Sequence, residues 1–436
     1  MLESMATAAA PGPMTNNGIS SRSVVAAVLG NVLEFYDFVT YAFFAVIIGR
    51  QFFPAQSPLV SLLLSVATFG VGFITRPLGG FLIGAYGDRS GRKPAMLLTI
   101  ALMGAGMLIL ALTPSYASIG MAAPALVVLA RLIQGFALGG EVGPATSFLI
   151  EGSPAAQRGY YGSWQLASQG LATLIAGVIG VAVSAALTPE AMEAWGWRIP
   201  FLLGTAVIPV GLYIRKHMPE TLDQNAATTH HSVVEVFSWL LTEHLRPVVL
   251  ALLAIMAGTI ATYICNYMTT YAMTTLHMPP GVSIAATLFV GLSTLVFSLA
   301  GGWLADRIGR KPLMIIPRLG LVAVAYPAFR VIAGTHTAAA LLLMAALLAA
   351  LNAISSAVAL VVIPESLPKS VRSAGLSVAY ATSVTVFGGT TQLVVTALIG
   401  ATGNPLSPSW YMIGSSLIGV VALIMMPETK DTVLAE

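Results

Sequence analysis

Gly84-Ala85-Tyr86-Gly87-Asp88-Arg89-Ser90-Gly91-Arg92-Lys93-Pro94 returns 218 positions later as Gly302-Trp303-Leu304-Ala305-Asp306-Arg307-Ile308-Gly309-Arg310-Lys311-Pro312. Each copy is a charged turn between two long apolar runs, and its Gly and Pro residues punctuate the chain there. Two later breaks repeat in the same order. Glu151-x-x-Pro154-x-x-x-Arg158 matches Glu365-x-x-Pro368-x-x-x-Arg372, and Met218-Pro219-Glu220-Thr221 matches Met426-Pro427-Glu428-Thr429. Ordered repeats about half of the 436-residue chain apart are the trace of a duplicated unit.

Outward from these turns, the apolar runs can be counted. Six lie near 23–49, 59–86, 95–113, 121–150, 162–187 and 198–215, and six more near 246–272, 283–304, 313–333, 338–364, 373–401 and 409–426. A helix needs roughly 20 apolar residues to cross a bilayer. Only 8% of the chain is charged, 57% is hydrophobic and the mean hydropathy is +0.86, whereas soluble domains carry about 25% charged residues. The chain therefore reads as an all-α integral membrane protein with twelve transmembrane helices in two six-helix, pseudo-symmetric halves. Such a repeat implies an axis along the membrane normal and a midplane site between the halves. The expected division is a disordered cytoplasmic tail over 1–22, a first half over 23–215, a central cytoplasmic loop over 216–245, a second half over 246–426 and a tail over 427–436.

Lys and Arg set the orientation. Arg22, Arg89, Arg92, Lys93, Arg158, Arg215, Lys216, Arg246, Arg307, Arg310, Lys311, Lys369, Arg372 and Lys430 fall in the tails and the breaks after spans 2, 4, 6, 8 and 10, while the other side holds only Arg50, Arg198 and Arg330. Both termini are expected in the cytoplasm. No signal peptide is expected, since residues 1–20 lack a basic and an apolar region. The net charge of +3 is spread over short loops and gives nucleic-acid binding no support. The single cysteine, Cys265, reads as a packed thiol. In the central loop Ser232-x-x-Glu235 reads as a capping box, with Val233, Phe237, Leu240, Leu241 and His244 at the spacing of an interfacial helix. His217, His230, His231 and His244 come without an acidic or thiol cluster, so no metal site is expected.

Charged groups inside the spans carry the functional reading, since each costs about 2.5–3.5 kcal/mol at bilayer depth. Glu34 and Asp37 are spaced i,i+3 and fall on one face of span 1 with Asn31 and Tyr41. Arg131 is the one arginine placed deep in a span, and its planar fork suits either a substrate carboxylate or a structural pair with Asp37 or Glu34. Gln134, Gln165, Ser168 and Gln169 supply neutral donors on spans 4 and 5; Tyr263, Asn266, Tyr267, Thr270 and Tyr271 could do so from span 7. Tyr263, Tyr267 and Tyr271 share a helical face and serve packing or binding. Glu34 is a second proton site or a bond to a neighbouring helix, and Glu141 serves packing or gating. Arg76 and Arg318, near span ends, are expected to snorkel to headgroups. Gly84 and Gly302 permit close helix approach, and Asp88 or Asp306 can cap a helix.

The duplicated turn resembles the signature loop of the major facilitator superfamily. Gly30-Asn31-x-Leu33-Glu34-x-Tyr36-Asp37-Phe38, Arg131-Leu132-Ile133-Gln134-Gly135 with Gly140-Glu141, and Trp195-Gly196-Trp197-Arg198-Ile199-Pro200-Phe201 are similar to the metabolite–proton symporter subfamily. Pro114-Ser115-Tyr116, Gly162-Ser163-Trp164-Gln165 with Ser168-Gln169, and Phe387-Gly388-Gly389 are most similar to its citrate and tricarballylate symporters. The resemblance implies a secondary transporter, not an enzyme, that imports an organic (tri)carboxylate such as citrate with protons by alternating access. Protons are the coupling ion and no cofactor is expected. The partners are a small organic anion, protons and the lipid of a bacterial inner membrane, and the transporter is a monomer. Alternatives are 2-oxoglutarate or another dicarboxylate, a zwitterion such as proline or betaine, a proton-antiporting exporter, or a sensor. By resemblance to sugar–proton symporters, Asp37 and Arg131 face each other. The family pattern also implies a cytoplasmic gate of Asp88, Arg89, Arg92, Glu151, Arg158, Asp306, Arg307, Arg310, Glu365 and Arg372, with Arg92–Glu151 and Arg310–Glu365 as exposed, breakable ion pairs.

Overall fold

The computed structural model describes residues 21–90, 92–140, 142–205, 208–209, 245–430 and 432. The side chains of Glu34, Asp88, Arg89 and Arg92, the whole of Glu141 and the central loop's capping box, apolar face and histidines lie outside the described residues.

Every described long element is helical, because in lipid an apolar segment must satisfy its own backbone hydrogen bonds. Span 1 is Ser21–Phe52, and span 2 is Pro58–Ile74 continued by Arg76–Ser90. Span 3 is Arg92–Leu112; span 4 runs through Ala122–Ala137, a tight turn at Leu138–Gly140 and Val142–Glu151. Span 5 is Arg158–Ala186, and span 6 begins with Arg198–Thr205. The second half repeats the plan. Span 7 is Leu245–Asn266 continued by Met268–Thr274, span 8 Pro280–Ile308, span 9 Arg310–Thr335 and span 10 Ala338–Glu365. Span 11 is Lys369–Ser383, a wide turn at Val384–Gly388 and Gly389–Thr402; span 12 is Ser407–Met425. Among the described residues, nine stretches are long and apolar enough to cross a membrane, and Leu97–Leu112 and Ala122–Ala137 are shorter apolar helices.

Local signals set the ends. Ser57 accepts from the Val60 N–H at 3.2 Å at the start of span 2, and Thr337 from Ala340 at 3.3 Å at the start of span 10. The turn between spans 8 and 9 needs Gly309, whose φ of +111° disfavours a side chain. Arg198 donates to the carbonyls of Ala111 and Thr113, each at 2.7 Å, and so closes the end of span 3.

The halves meet chiefly where span 5 packs along span 8. At one end of this seam Gly159 and Gly302 approach so closely that a Cβ on either would strike the other's carbonyl; small residues allow this. The same end carries the duplicated turns and is called the charged end below. Asp306, at the foot of span 8, crosses the seam and accepts from the N–H groups of Gly159 and Tyr160, both at 2.8 Å. It thereby caps span 5 of the other half.

Candidate functional site

Between the halves lies a central cavity. Span 1 contributes Phe35, Phe38, Val39 and Ala42, span 2 Phe69, and span 5 Gln169 and Thr173. The second half contributes Gly258, Thr259, Thr262, Tyr263 and Asn266 from span 7, Ser356 from span 10, and Tyr380 and Val384 from span 11. Gln169 donates to the Tyr380 hydroxyl at 3.3 Å, joining the halves across this space.

Asp37 and Arg131 stand behind the aromatic wall. Arg131 Nη1 lies 2.9 Å from Asp37 Oδ2 and 2.7 Å from Gln134 Oε1, and both charged side chains are fully buried. The guanidinium packs 4.3 Å from the Phe38 ring centre and 4.5 Å from that of Tyr41, with Phe69 at 5.5 Å. Cation–π contacts of this kind gain strength when desolvated. Neither Arg131 nor Asp37 lines the cavity, because Phe38 and Phe69 occupy that surface. Asp37 Oδ1, Arg131 Nε and Nη2, and Gln134 Nε2 have no hydrogen-bond partner among the described residues.

The other sequence-predicted residues divide. Gln169, Tyr263 and Asn266 line the cavity. Gln165 and Ser168 instead form a clamp with span 1: Asn31 Nδ2 donates to the Gln165 carbonyl at 3.0 Å and to Ser168 Oγ, and Gln165 Nε2 reaches Asn31 Oδ1 at 3.3 Å. The single polar stripe expected on span 1 is thus split, with Asn31 turned to span 5 and Asp37 to span 4. Tyr41 donates to the Ser65 carbonyl at 3.2 Å. The expected tyrosine face also breaks up. Tyr263 meets Phe69 and Phe73, Tyr267 receives the Thr396 hydroxyl at 2.8 Å, and Tyr271 donates to the Pro405 carbonyl at 2.8 Å. The helix is interrupted at Tyr267, and each ring follows its local neighbours. Thr270 is buried, its hydroxyl without a partner among the described residues, away from the cavity lining.

Two arginines correct the sequence reading. Arg76 does not snorkel: it is buried at 5% exposure, 4.3 Å from the Phe73 ring centre and 4.8 Å from that of Phe38. Arg318 is also buried, bonded to Asn352, Ser355 and Ser356. Arg131 is therefore not the only deep arginine. The signal for Arg318 was its depth, eight residues from the helix start, or roughly 12 Å at 1.5 Å per residue.

At the charged end Arg310 bridges Asp306 at 2.7 Å and Glu365 at 3.3 Å. Glu151 pairs with Arg372 of the opposite half at 2.8 Å. These groups are mostly buried rather than exposed: side-chain exposure is 2% for Arg310, 1% for Glu365 and 1% for Arg372, though 38% for Glu151. Arg158 donates to the Thr432 carbonyl at 3.1 Å, while Arg307 stacks on Trp303 at 3.7 Å. Glu428 accepts from the N–H groups of Arg310 and Lys311, both at 2.9 Å.

A family model described as sugar (and other) transporter matches residues 23–223 and 213–436. The chain belongs to this family, within the major facilitator superfamily. The transporter is 35% identical over 409 residues to a citrate–proton symporter of Klebsiella pneumoniae, covering 94% of this chain and 92% of that one. It is 33% identical over 433 residues to a proline/betaine transporter of Salmonella typhimurium, covering 95% and 85%. Its fold matches a crystal structure of a D-xylose–proton symporter with a TM-score of 0.75 at 18% identity, over 95% of this chain and 99% of that one. The twelve-helix plan read from the duplicated turn is thereby confirmed, and the transporter is not an enzyme.

Proposed function

We propose that the transporter imports a small organic carboxylate, citrate foremost, together with protons by alternating access, with Asp37 as the proton site and Arg131 as its switch. The observation that carries this reading is the half-used ion pair. One guanidinium nitrogen serves one carboxylate oxygen at 2.9 Å, which leaves Asp37 Oδ1 for a proton and Arg131 Nε and Nη2 for an incoming carboxylate. Burial favours the neutral acid and the guanidinium favours the carboxylate, by comparable amounts. A substrate that draws Arg131 away lets Asp37 keep its proton, and substrate and proton then strengthen each other's binding. Phe38 and Phe69 must move for that contact to form. The charged end faces the cytoplasm of a bacterial inner membrane, with both termini on that side, by the Lys/Arg bias. The first half spans 23–215 and the second 246–426, joined by 216–245, and the protein works as a monomer. Gln134 orients Arg131, Tyr41 supports its ring wall, and Gln169, Tyr263 and Asn266 meet the substrate. Glu34 remains the second proton site in this scheme. Gln165 and Ser168, with Tyr267, Thr270 and Tyr271, hold the helices that frame the site. Asp88, Arg89, Arg92, Glu151, Arg158, Asp306, Arg307, Arg310, Glu365 and Arg372 form the cytoplasmic gate.

Vesicles with an imposed pH gradient test the coupling. Asp37→Asn should abolish gradient-driven accumulation of labelled citrate while exchange across the membrane persists; unchanged accumulation overturns the assignment. A second reading rests on the aromatic lining by Phe35, Phe38, Phe69 and Tyr263, since such rings suit a quaternary ammonium group. Competition of labelled citrate uptake by tricarballylate, 2-oxoglutarate, proline and betaine separates the two.

A further inference from the structure

Arg318 is 1% exposed, deep in span 9, and has no carboxylate partner among the described residues. Its bonds go to neutral groups: Nη1 to Asn352 Oδ1 at 2.8 Å, Nη2 to Ser356 Oγ at 2.8 Å, and Nε to Ser355 Oγ at 3.2 Å. A buried cation without a counter-ion is expensive, and inside a membrane protein it marks a functional site whose partner must be sought.

The partner's place is shown by where the network leads. Asn352 accepts from Arg318 and in turn donates from Nδ2 to Thr262 Oγ1 at 2.8 Å. Because Thr262 Oγ1 is an acceptor there, its own hydrogen is free to point elsewhere, and it has no acceptor among the described residues. Thr262 and Ser356 both line the central cavity, as does Gly258. A Cβ on Gly258 would lie 2.6 Å from Ser356 Oγ and 3.6 Å from Arg318 Nη2. The missing side chain thus thins the wall where the guanidinium stands behind it.

We infer that Thr262 and Ser356 form a carboxylate subsite in the second half of the cavity, with Arg318 behind them as the charge that makes it anion-selective. Resting on the proposed carboxylate transport, this gives the cavity a second cation, in the opposite half from Arg131. Citrate, 2-oxoglutarate, proline and betaine all carry a carboxylate, so the subsite serves either substrate reading. Arg318 is a positioning residue; Thr262 makes the contact with its free hydroxyl hydrogen, and Ser356, whose hydroxyl donates to Asn352 Oδ1 at 3.1 Å, makes it by turning that hydrogen to the cavity.

Wild-type vesicles are assayed first with labelled citrate and labelled betaine. With whichever is accumulated, Thr262→Val and Ser356→Ala should each raise KM about tenfold at similar maximal rate, the loss expected for a hydrogen bond to a charged group. Arg318→Gln should raise KM further, Arg318→Lys should recover part of it, and Arg318→Gln with Ser356→Ala should be no worse than Arg318→Gln alone. KM within twofold of wild type in Thr262→Val and Ser356→Ala overturns the subsite and leaves carboxylate transport standing. Wild-type vesicles that accumulate neither compound overturn both.

Discussion

Arg131 and Asp37 carry the strongest claim at the scale of single residues. Each is fully buried and each uses only part of its bonding capacity. Removing one partner of a buried pair leaves an uncompensated charge, a loss of about 3–5 kcal/mol. Arg131→Gln should therefore lower the melting temperature of the purified protein sharply. Asp37→Asn combined with Arg131→Gln should regain most of that stability while transport stays lost; equal melting of single and double variants would show that the pair does not hold the bundle. The two charges were legible because they are conspicuous in otherwise apolar runs, but the residues alone offered Arg131 either Asp37 or Glu34, and it was the resemblance to sugar–proton symporters that set Asp37 against it. Arg318 was misread for a local reason. Its place near the start of a span suggested reach to headgroups, but two helical turns exceed what the side chain can span, and Asn352, Ser355 and Ser356 offered bonds closer by.

Elements show where sequence patterns stop. The runs and their order could be counted, but the interruptions could not: Thr75 in span 2, Leu138–Gly140 in span 4, Tyr267 in span 7 and Val384–Gly388 in span 11. At Thr75 the break answers a neighbour rather than a local preference: its hydroxyl donates to the Leu132 carbonyl of span 4 at 2.8 Å. Wide helical turns often accompany functional sites, and Val384 lies on the cavity. The repeated Met-Pro-Glu-Thr stretch acquires a role only in three dimensions. Glu428, though exposed, caps span 9 from the far end of the chain. Burial would push its carboxyl up, but the N–H groups of Lys311, Lys430, Arg310 and Thr429 outweigh it and hold the group below the usual carboxylate range. A lowered folded value contributes stability above the unfolded pKa, and that stability is lost as pH falls through the folded value. Glu428→Gln should thus cost less than about 1 kcal/mol at pH 7, because solvent screens an exposed carboxylate, and melting curves of variant and wild type should converge in acid.

The whole molecule is fastened at its charged end. Glu151–Arg372 and the Asp306 cap on span 5 both join one half to the other. In the proposed alternating-access cycle, opening the cavity on that side breaks both. Glu151→Arg and Arg372→Glu should each impair uptake, and the two together should restore it; failure of the double variant would show that the pair is no latch. The fold was legible at this scale because duplication wrote it twice. The Glu151–Arg372 pair was not, since nothing in one dimension brings a turn of one half beside a span of the other.

Phe38 has the cavity on one flank and two guanidiniums within 5 Å of its ring, Arg76 at 4.8 Å and Arg131 at 4.3 Å. A cargo molecule that nudges this ring shifts the surroundings of two positive charges at once. Arrival of the cargo should therefore register as a brief electrical transient on a solid-supported membrane, even in a variant frozen before translocation.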